Sequence, residues 1–158
     1  MTIAITGITG NMGQAALAQL SNAPNIGKIK LLCHSKKRMK KLLKRHKSLR
    51  PRIELVEGGM SDRNAIRRLI SEAAIVINMA AVIPPRSDQN PKAAVACNQI
   101  GTQILVEEIE RVQADQPALV HVSTVAVYGN RSGAHPFARV GDPLLVSPLD
   151  VYSATKLR

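Results

Sequence analysis

Short apolar runs alternate along the chain with longer stretches in which apolar residues recur every three or four positions. The runs are Ile3–Thr6, Ile29–Cys33, Ile53–Val56, Ile75–Met79 and Leu119–Val122. They are brief and rich in β-branched residues, which predicts strands buried on both faces. Between them the spacing predicts helices over Met12–Leu20, Lys36–His46, Asp62–Glu72 and Ala93–Val112. The second carries Met39, Leu42 and Leu43 as a one-sided apolar stripe among lysines. Strand, helix, strand in this repetition calls for an α/β fold, a doubly wound parallel sheet with right-handed crossovers. Gly, Pro and Ser gather at Pro84–Asn90 and Asn130–Pro148, which are expected to be loops.

Composition narrows this picture. The 158 residues fit one domain able to bury a core. Hydrophobic residues make up 45% but aromatics only 2%, so the core must rest on Ala, Val, Ile and Leu. That favours a sheet covered by helices over an aromatic-rich sandwich. The longest apolar stretch, Ala73–Ile83, is broken by Asn78 and is about half of the ~20 residues a membrane span needs. No membrane partner is expected. The N-terminus enters strand sequence at Ile3-Ala4-Ile5 without a basic leader. Cys33 and Cys97 stand in apolar contexts and read as buried free thiols of a cytoplasmic protein. His34, His46, His121 and His135 are scattered and form no ligand set, so no metal is expected. His121 lies inside a strand and is expected to be packed there.

The net charge of +11 suggests nucleic acid until it is located. Twelve of the 22 Lys and Arg residues fall between Lys28 and Arg52, where there is no Asp or Glu. Elsewhere the balance is close to neutral. With two Tyr, one Phe and no Trp, side chains for base stacking are scarce. A cofactor phosphate, a solvated helix face and a nucleic-acid partner all fit the basic stretch, in that order of preference. The expectation is a small-molecule substrate and no nucleic acid.

The first chemical motif is Thr6-Gly7-Ile8-Thr9-Gly10-Asn11-Met12-Gly13, set between the first strand and the first helix. Glycine suits a turn whose backbone must approach a pyrophosphate, and the helix start offers free N–H groups and a positive dipole end. A tight turn alone would also use glycine. The second strand ends Cys33-His34-Ser35-Lys36-Lys37-Arg38, with none of the acid that usually holds the ribose 2′-hydroxyl of NAD. Ser35, Lys36 and Arg38 suit a 2′-phosphate, so NADP(H) is preferred, with NAD(H) as the alternative.

Further motifs follow in order. Gly58-Gly59-Met60-Ser61-Asp62 is similar to a GDLxD segment, with Gly59 in the place of the first Asp. Asn78-Met79-Ala80-Ala81 follows the fourth strand. Asn98-Gln99-Ile100-Gly101-Thr102 reads NxxGT, and Val122-Ser123-Thr124-Val125-Ala126-Val127-Tyr128-Gly129 resembles an ST-xxVYG block. Tyr152-Ser153-Ala154-Thr155-Lys156 is a YxxxK pair. Together with the glycine turn, these six cover nearly the whole chain, which thereby resembles the extended short-chain dehydrogenase/reductase family, of the NAD-dependent epimerase/dehydratase type. The resemblance implies a Rossmann fold and a cofactor held by Gly7, Thr9, Gly10, Asn11, Met12, Gly13, Met60, Ala80, Ala81, Asn98, Ser123, Tyr152 and Lys156. It also implies Thr124, Tyr152 and Lys156 as the catalytic group.

Tyr152 and Lys156 are four apart and share one face of a helix. A nearby ammonium favours a phenolate, which can exchange a proton with a substrate hydroxyl or carbonyl while the nicotinamide exchanges a hydride with the carbon. An ordinary amphipathic helix could carry the same two residues. Thr124 would hydrogen-bond the same oxygen. After Thr124 stand Val125 and Ala126, not the Asp-Glu pair that similar sugar-nucleotide dehydratases use, which argues against dehydration. The expected activity is an NAD(P)-dependent oxidoreductase or epimerase acting on a ketone, an alcohol or a nucleotide sugar, and the expected assembly is a homodimer. The alternative is a nucleotide-sensing protein with the same fold and no turnover. The family pattern continues past Arg158 into further strands and a substrate domain, so residues 1–158 read as the incomplete dinucleotide-binding part.

Overall fold

A computed structural model describes residues 1–20, 23–130, 133, 136–147 and 149–157; the side chains of Arg38 and Arg45 are outside that set. Five strands form one sheet: β1 Thr2–Thr6, β2 Lys28–Cys33, β3 Ile53–Glu57, β4 Ile75–Asn78 and β5 Ala118–His121. Their order is β3-β2-β1-β4-β5 and every pairing is parallel. After β3 the chain returns to the other side of β1. The exits of β1 and β4 therefore flank the point where strand order reverses, the usual place for a ligand crevice.

Period-two alternation divides the core into two layers. Ile3, Ile5, Ile29, Leu31 and Cys33 face one side, where they meet Leu17 of α1 (Asn11–Leu20) and Met39 of α2 (Lys36–Leu42). Ala4, Leu32, Val56 and Val76 face the other. There they meet Ile66 and Leu69 of α3 (Arg63–Ile70) and, beyond two short helices, Leu105 and Ile109 of α6 (Gly101–Glu110). Helices on both faces of a parallel sheet make the fold doubly wound, as the alternation predicts.

The helical boundaries differ from the expectation in three places. The stretch Lys36–His46 is α-helical only to Leu42, then tightens into 3₁₀ turns at Leu43–Arg45 and Lys47–Arg52. The loop expected at Pro84–Asn90 holds a helical turn, α4 (Arg86–Gln89), and then α5 (Pro91–Ala94). Asn90 caps α5 by accepting from the Ala93 N–H at 3.0 Å, and Pro91 takes the first turn, where its missing N–H costs nothing. The helix expected over Ala93–Val112 is interrupted by a π-helical segment at Val95–Ile100. Asn98 within it and Gly101 just after it are both buried. The remaining predicted loop, Asn130–Pro148, falls partly outside the described residues, as does His135.

Several of the cations are structural. Lys28 pairs with Glu54 at 2.6 Å, and Lys30, 3% exposed, gives hydrogen bonds to the Ser71 carbonyl at 3.0 Å and hydroxyl at 2.7 Å. On the far face Glu108, also 3% exposed, receives Arg63 at 2.5 Å, Arg67 at 2.6 Å and Arg111 at 2.9 Å, tying α3 to α6. The Arg67 and Arg63 guanidiniums hold its carboxyl down to about 2, against an ordinary 4.5. A lowered folded-state value means that this contribution is complete above the ordinary value and disappears as pH falls towards 2. Glu108→Gln is expected to lower Tm at pH 7, and the gap from the parent should narrow steadily as melts are repeated from pH 4.5 towards 2. A gap independent of pH would contradict this account.

Candidate active site

All five strands run the same way, so the turns after β1, β4 and β5 open on one edge of the sheet. The first is the glycine turn. Gly7 has φ +73°, and a Cβ there would lie 2.5 Å from the Ala80 nitrogen and the Met79 carbonyl carbon. The exits of β1 and β4 therefore touch through a residue without a side chain. A Cβ on Gly13 would meet the Gly7 oxygen at 2.5 Å, so this glycine lets α1 sit directly on the turn. Gly10 differs: its nearest neighbour would be the Gly7 oxygen at 3.5 Å. Packing within the chain does not require glycine at position 10, whereas close approach by an outside group would. Thr9, Gly10, Asn11 and Met12 are exposed, and α1 starts with Gln14 N–H donating to the Gly10 carbonyl at 2.9 Å. The amides of the first turn are left facing the crevice. This cradle fits a pyrophosphate.

After β2, Ser35 is half-buried and Lys36 exposed; the side chain of Arg38 lies outside the described residues. Lys36 opens on a cavity of about 290 Å³ lined by Lys36, Lys40, Leu43, Arg50, Ile53 and Leu55, with three cations and no carboxylate. One acid that sequence reasoning passed over does come near. Glu57, at the end of β3, accepts from the Lys36 backbone N–H at 3.3 Å. The His34 ring also proves to be part of this edge. A Cβ on Gly59 would stand 3.1 Å from its Cε1, so histidine occupies the flank of the position where the family motif carries aspartate. Met60 is buried, and Gly101 packs on it so closely that a Cβ would lie 2.5 Å away. Asp62 serves as the cap of α3, accepting from the Ala65 N–H at 3.0 Å. Ala80 and Ala81 are half-buried after β4.

The residues after β5 are held by α7 (Val151–Leu157). Asp150 starts that helix by accepting from the Ser153 N–H at 3.0 Å and the Ser153 hydroxyl at 2.5 Å, which hold its carboxyl below the ordinary range. Lys156 donates to the Val122 carbonyl at 2.6 Å and lies 3.3 Å from Nε2 of His121. Burial pushes its amine below the ordinary lysine value, with the nearby Cys97 opposing. Tyr152, one turn earlier, is half-buried. Thr124 caps the 3₁₀ turn Val125–Tyr128 by accepting from the Ala126 N–H at 3.2 Å, which leaves its own O–H able to donate. Ser123 is exposed beside it. Asn98, 2% exposed, accepts from the Val82 N–H at 2.7 Å and donates to the Val82 carbonyl and the Thr155 hydroxyl, both at 3.0 Å. Its amide thus joins the segment after β4 to α7.

The reversal point of a doubly wound parallel sheet, with glycines at its first exit, defines a Rossmann-type fold. The sequence pattern described as GDP-mannose 4,6 dehydratase matches residues 4–158. The chain belongs to that family, within the extended short-chain dehydrogenase/reductases. It is 32% identical over 106 residues to a dTDP-glucose 4,6-dehydratase of Mycolicibacterium smegmatis, covering 66% of this chain and 31% of that one. It is 31% identical over 99 residues to a dTDP-4-dehydrorhamnose reductase of the same organism, covering 62% and 28%. Among solved structures, the dTDP-glucose 4,6-dehydratase of Bacillus anthracis in complex with NAD superposes with TM-score 0.74 at 25% identity. That match covers 99% of this chain and 47% of the other. The UDP-glucuronic acid 4-epimerase of Bacillus cereus in complex with NAD gives the same score and identity, covering 99% and 49%. The matched region is under a third of the length of these curated relatives and just under half of these solved chains.

Proposed function

We propose that residues 1–158 are the dinucleotide-binding half of an oxidoreductase or epimerase that takes NADP(H) in preference to NAD(H). Its substrate is a hydroxyl or carbonyl carbon, with a nucleotide sugar as the leading class, since the named relatives act on such compounds. The observation that carries the reading is convergence at one sheet edge. The glycine cradle after β1, the alanines after β4 and Thr124 after β5 lie there, and Lys156 fastens α7 to the last of them.

In this reading the cradle amides take the pyrophosphate, and Ser35 with Lys36 takes the 2′-phosphate. The bound dinucleotide supplies a hydride acceptor and donor at its nicotinamide. Tyr152 moves the proton at the substrate oxygen, Thr124 hydrogen-bonds that oxygen, and Lys156 holds the ribose and supports the tyrosine. Val125, 82% exposed, and Ala126 occupy the positions after Thr124. Neither can take or give a proton, so elimination of water is not part of the proposed reaction despite the dehydratases among the relatives. A cytoplasmic setting suits the free thiols of Cys33 and Cys97, both pushed up by burial. No helix among the described residues is long and apolar enough to cross a membrane.

The cofactor choice rests on the cations around Lys36. A nearby acid, Glu57, is engaged by the Lys36 amide. Fluorescence titration is expected to give tighter binding of NADPH than of NADH, by about tenfold for one charge-assisted phosphate contact of about 1.4 kcal/mol. Lys36→Ala should remove most of the difference. Tighter binding of NADH would overturn the preference.

A further inference from the structure

The buried polar groups beneath the proposed site form a continuous series. The Ala80 N–H donates to the Thr6 hydroxyl oxygen at 3.1 Å, and the Thr6 O–H donates to Asn78 Oδ1 at 2.6 Å. Asn78, fully buried, turns its Nδ2 to the Thr102 hydroxyl at 3.3 Å and to Nδ1 of His121 at 3.1 Å. On the other side of the ring, Nε2 of His121 lies 3.3 Å from Nζ of Lys156. The series runs from the end of β1, through β4 and β5, to the lysine of α7.

From these contacts we infer that His121 is a positioning residue, whose uncharged ring seats Lys156 and whose protonation unseats it. The inference rests on the reading that Lys156 holds the dinucleotide. With Asn78 presenting its NH₂ group, Nδ1 of His121 is bare and accepts. The ring proton is then on Nε2 and can be given only to a lysine nitrogen with a free lone pair. When Lys156 carries its proton, Nε2 must be bare instead. The ring proton then moves to Nδ1, and the Asn78 amide turns its oxygen to meet it. Either charge state of the lysine thus has a matching tautomer, provided the ring is neutral. An imidazolium does not match the charged lysine, because its Nε2–H then points a donor at a second cation.

The surroundings agree with a neutral ring. Burial, and next the Lys156 charge, push His121 below the ordinary histidine value. Asn78 from β4 brings no charge to the ring. Beyond Lys156, the Cys97 thiol of the π segment faces the lysine and is itself held up by burial. A lowered value keeps the seat intact at neutral pH and loses it as pH falls through the His121 midpoint.

Two measurements on this chain test the inference. Long-range ¹H–¹⁵N spectra across a pH titration should show His121 neutral to a lower pH than an ordinary histidine. Lys156→Met should raise the His121 midpoint. A His121 that titrates at the ordinary value, or ignores Lys156→Met, overturns the contact whether or not a dinucleotide binds. The second measurement is NADPH affinity against pH. In the parent it should weaken about tenfold per pH unit below the His121 midpoint, since only the neutral fraction is competent. His121→Gln, which keeps an amide donor and acceptor but cannot be charged, should lack that component. Equal acid dependence in parent and variant overturns the positioning role. Failure of both proteins to bind any dinucleotide would instead sink the functional reading, with the spectra still deciding the contact.

Discussion

Tyr152→Phe in the complete protein is expected to reduce turnover of a nucleotide-sugar or ketone substrate by about 10²–10⁴-fold, the range for losing a positioned proton donor. That corresponds to roughly 3–5 kcal/mol of barrier. The substitution removes one oxygen and keeps the ring, so the half-buried packing of the side chain in α7 should survive. Lys156 keeps its bond to the Val122 carbonyl, which does not involve the phenol. NADPH affinity should therefore stay within about twofold, or 0.4 kcal/mol. Loss confined to the chemical step separates a proton donor from a wall of the site. Turnover equal to that of the parent would remove Tyr152 from the mechanism.

The second large effect is expected at the glycine turn, where two neighbouring substitutions should behave oppositely. Gly7→Ala places a methyl group 2.5 Å from the backbone of Met79 and Ala80, at a φ of +73°. Neither neighbour is a flexible side-chain end, so the exits of β1 and β4 must part. Overpacking of this kind costs about 1–3 kcal/mol, and a left-handed non-glycine residue roughly 1–2 more. At about 2–4 °C per kcal/mol for a chain of this size, Tm should fall by roughly 4–20 °C, with dinucleotide binding lost as well. Gly10→Ala meets only the Gly7 oxygen at 3.5 Å. Its Tm should move by no more than about 1–2 °C, while its methyl group stands where the pyrophosphate would approach. A Gly10→Ala variant that still binds NADPH tightly would mean that the cradle is a turn and nothing more.

The fold was legible because β1 and β2 are buried on both faces, although β5, expected to be buried like them, is exposed from Ala118 to Val120. Ile3-Ala4-Ile5 and Ile29–Cys33 are apolar at every position but Lys30, a pattern few other arrangements produce. Lys30 could not be read, because its partner Ser71 lies in a distant segment. The glycine turn was equally clear, since three glycines between the first strand and the first helix are a local pattern. Less of the site could be read where roles depend on contacts between remote segments. Nothing around Asn98 in sequence announces that its amide reaches both Val82 and Thr155. His121 was expected simply to pack in its strand; the structure gives it Asn78 on one side and Lys156 on the other. The π segment shifts the phase of one helix by a single residue, which a repeat of three and four cannot register.

The helix carrying Tyr152 and Lys156 is held from several sides: by Asp150 at its start, Asn98 against its flank and the Val122 carbonyl just after β5, which receives its lysine. Both side chains therefore take their places only once those separate segments have met. A partly folded form could already possess the sheet and the glycine turn and still be chemically inert.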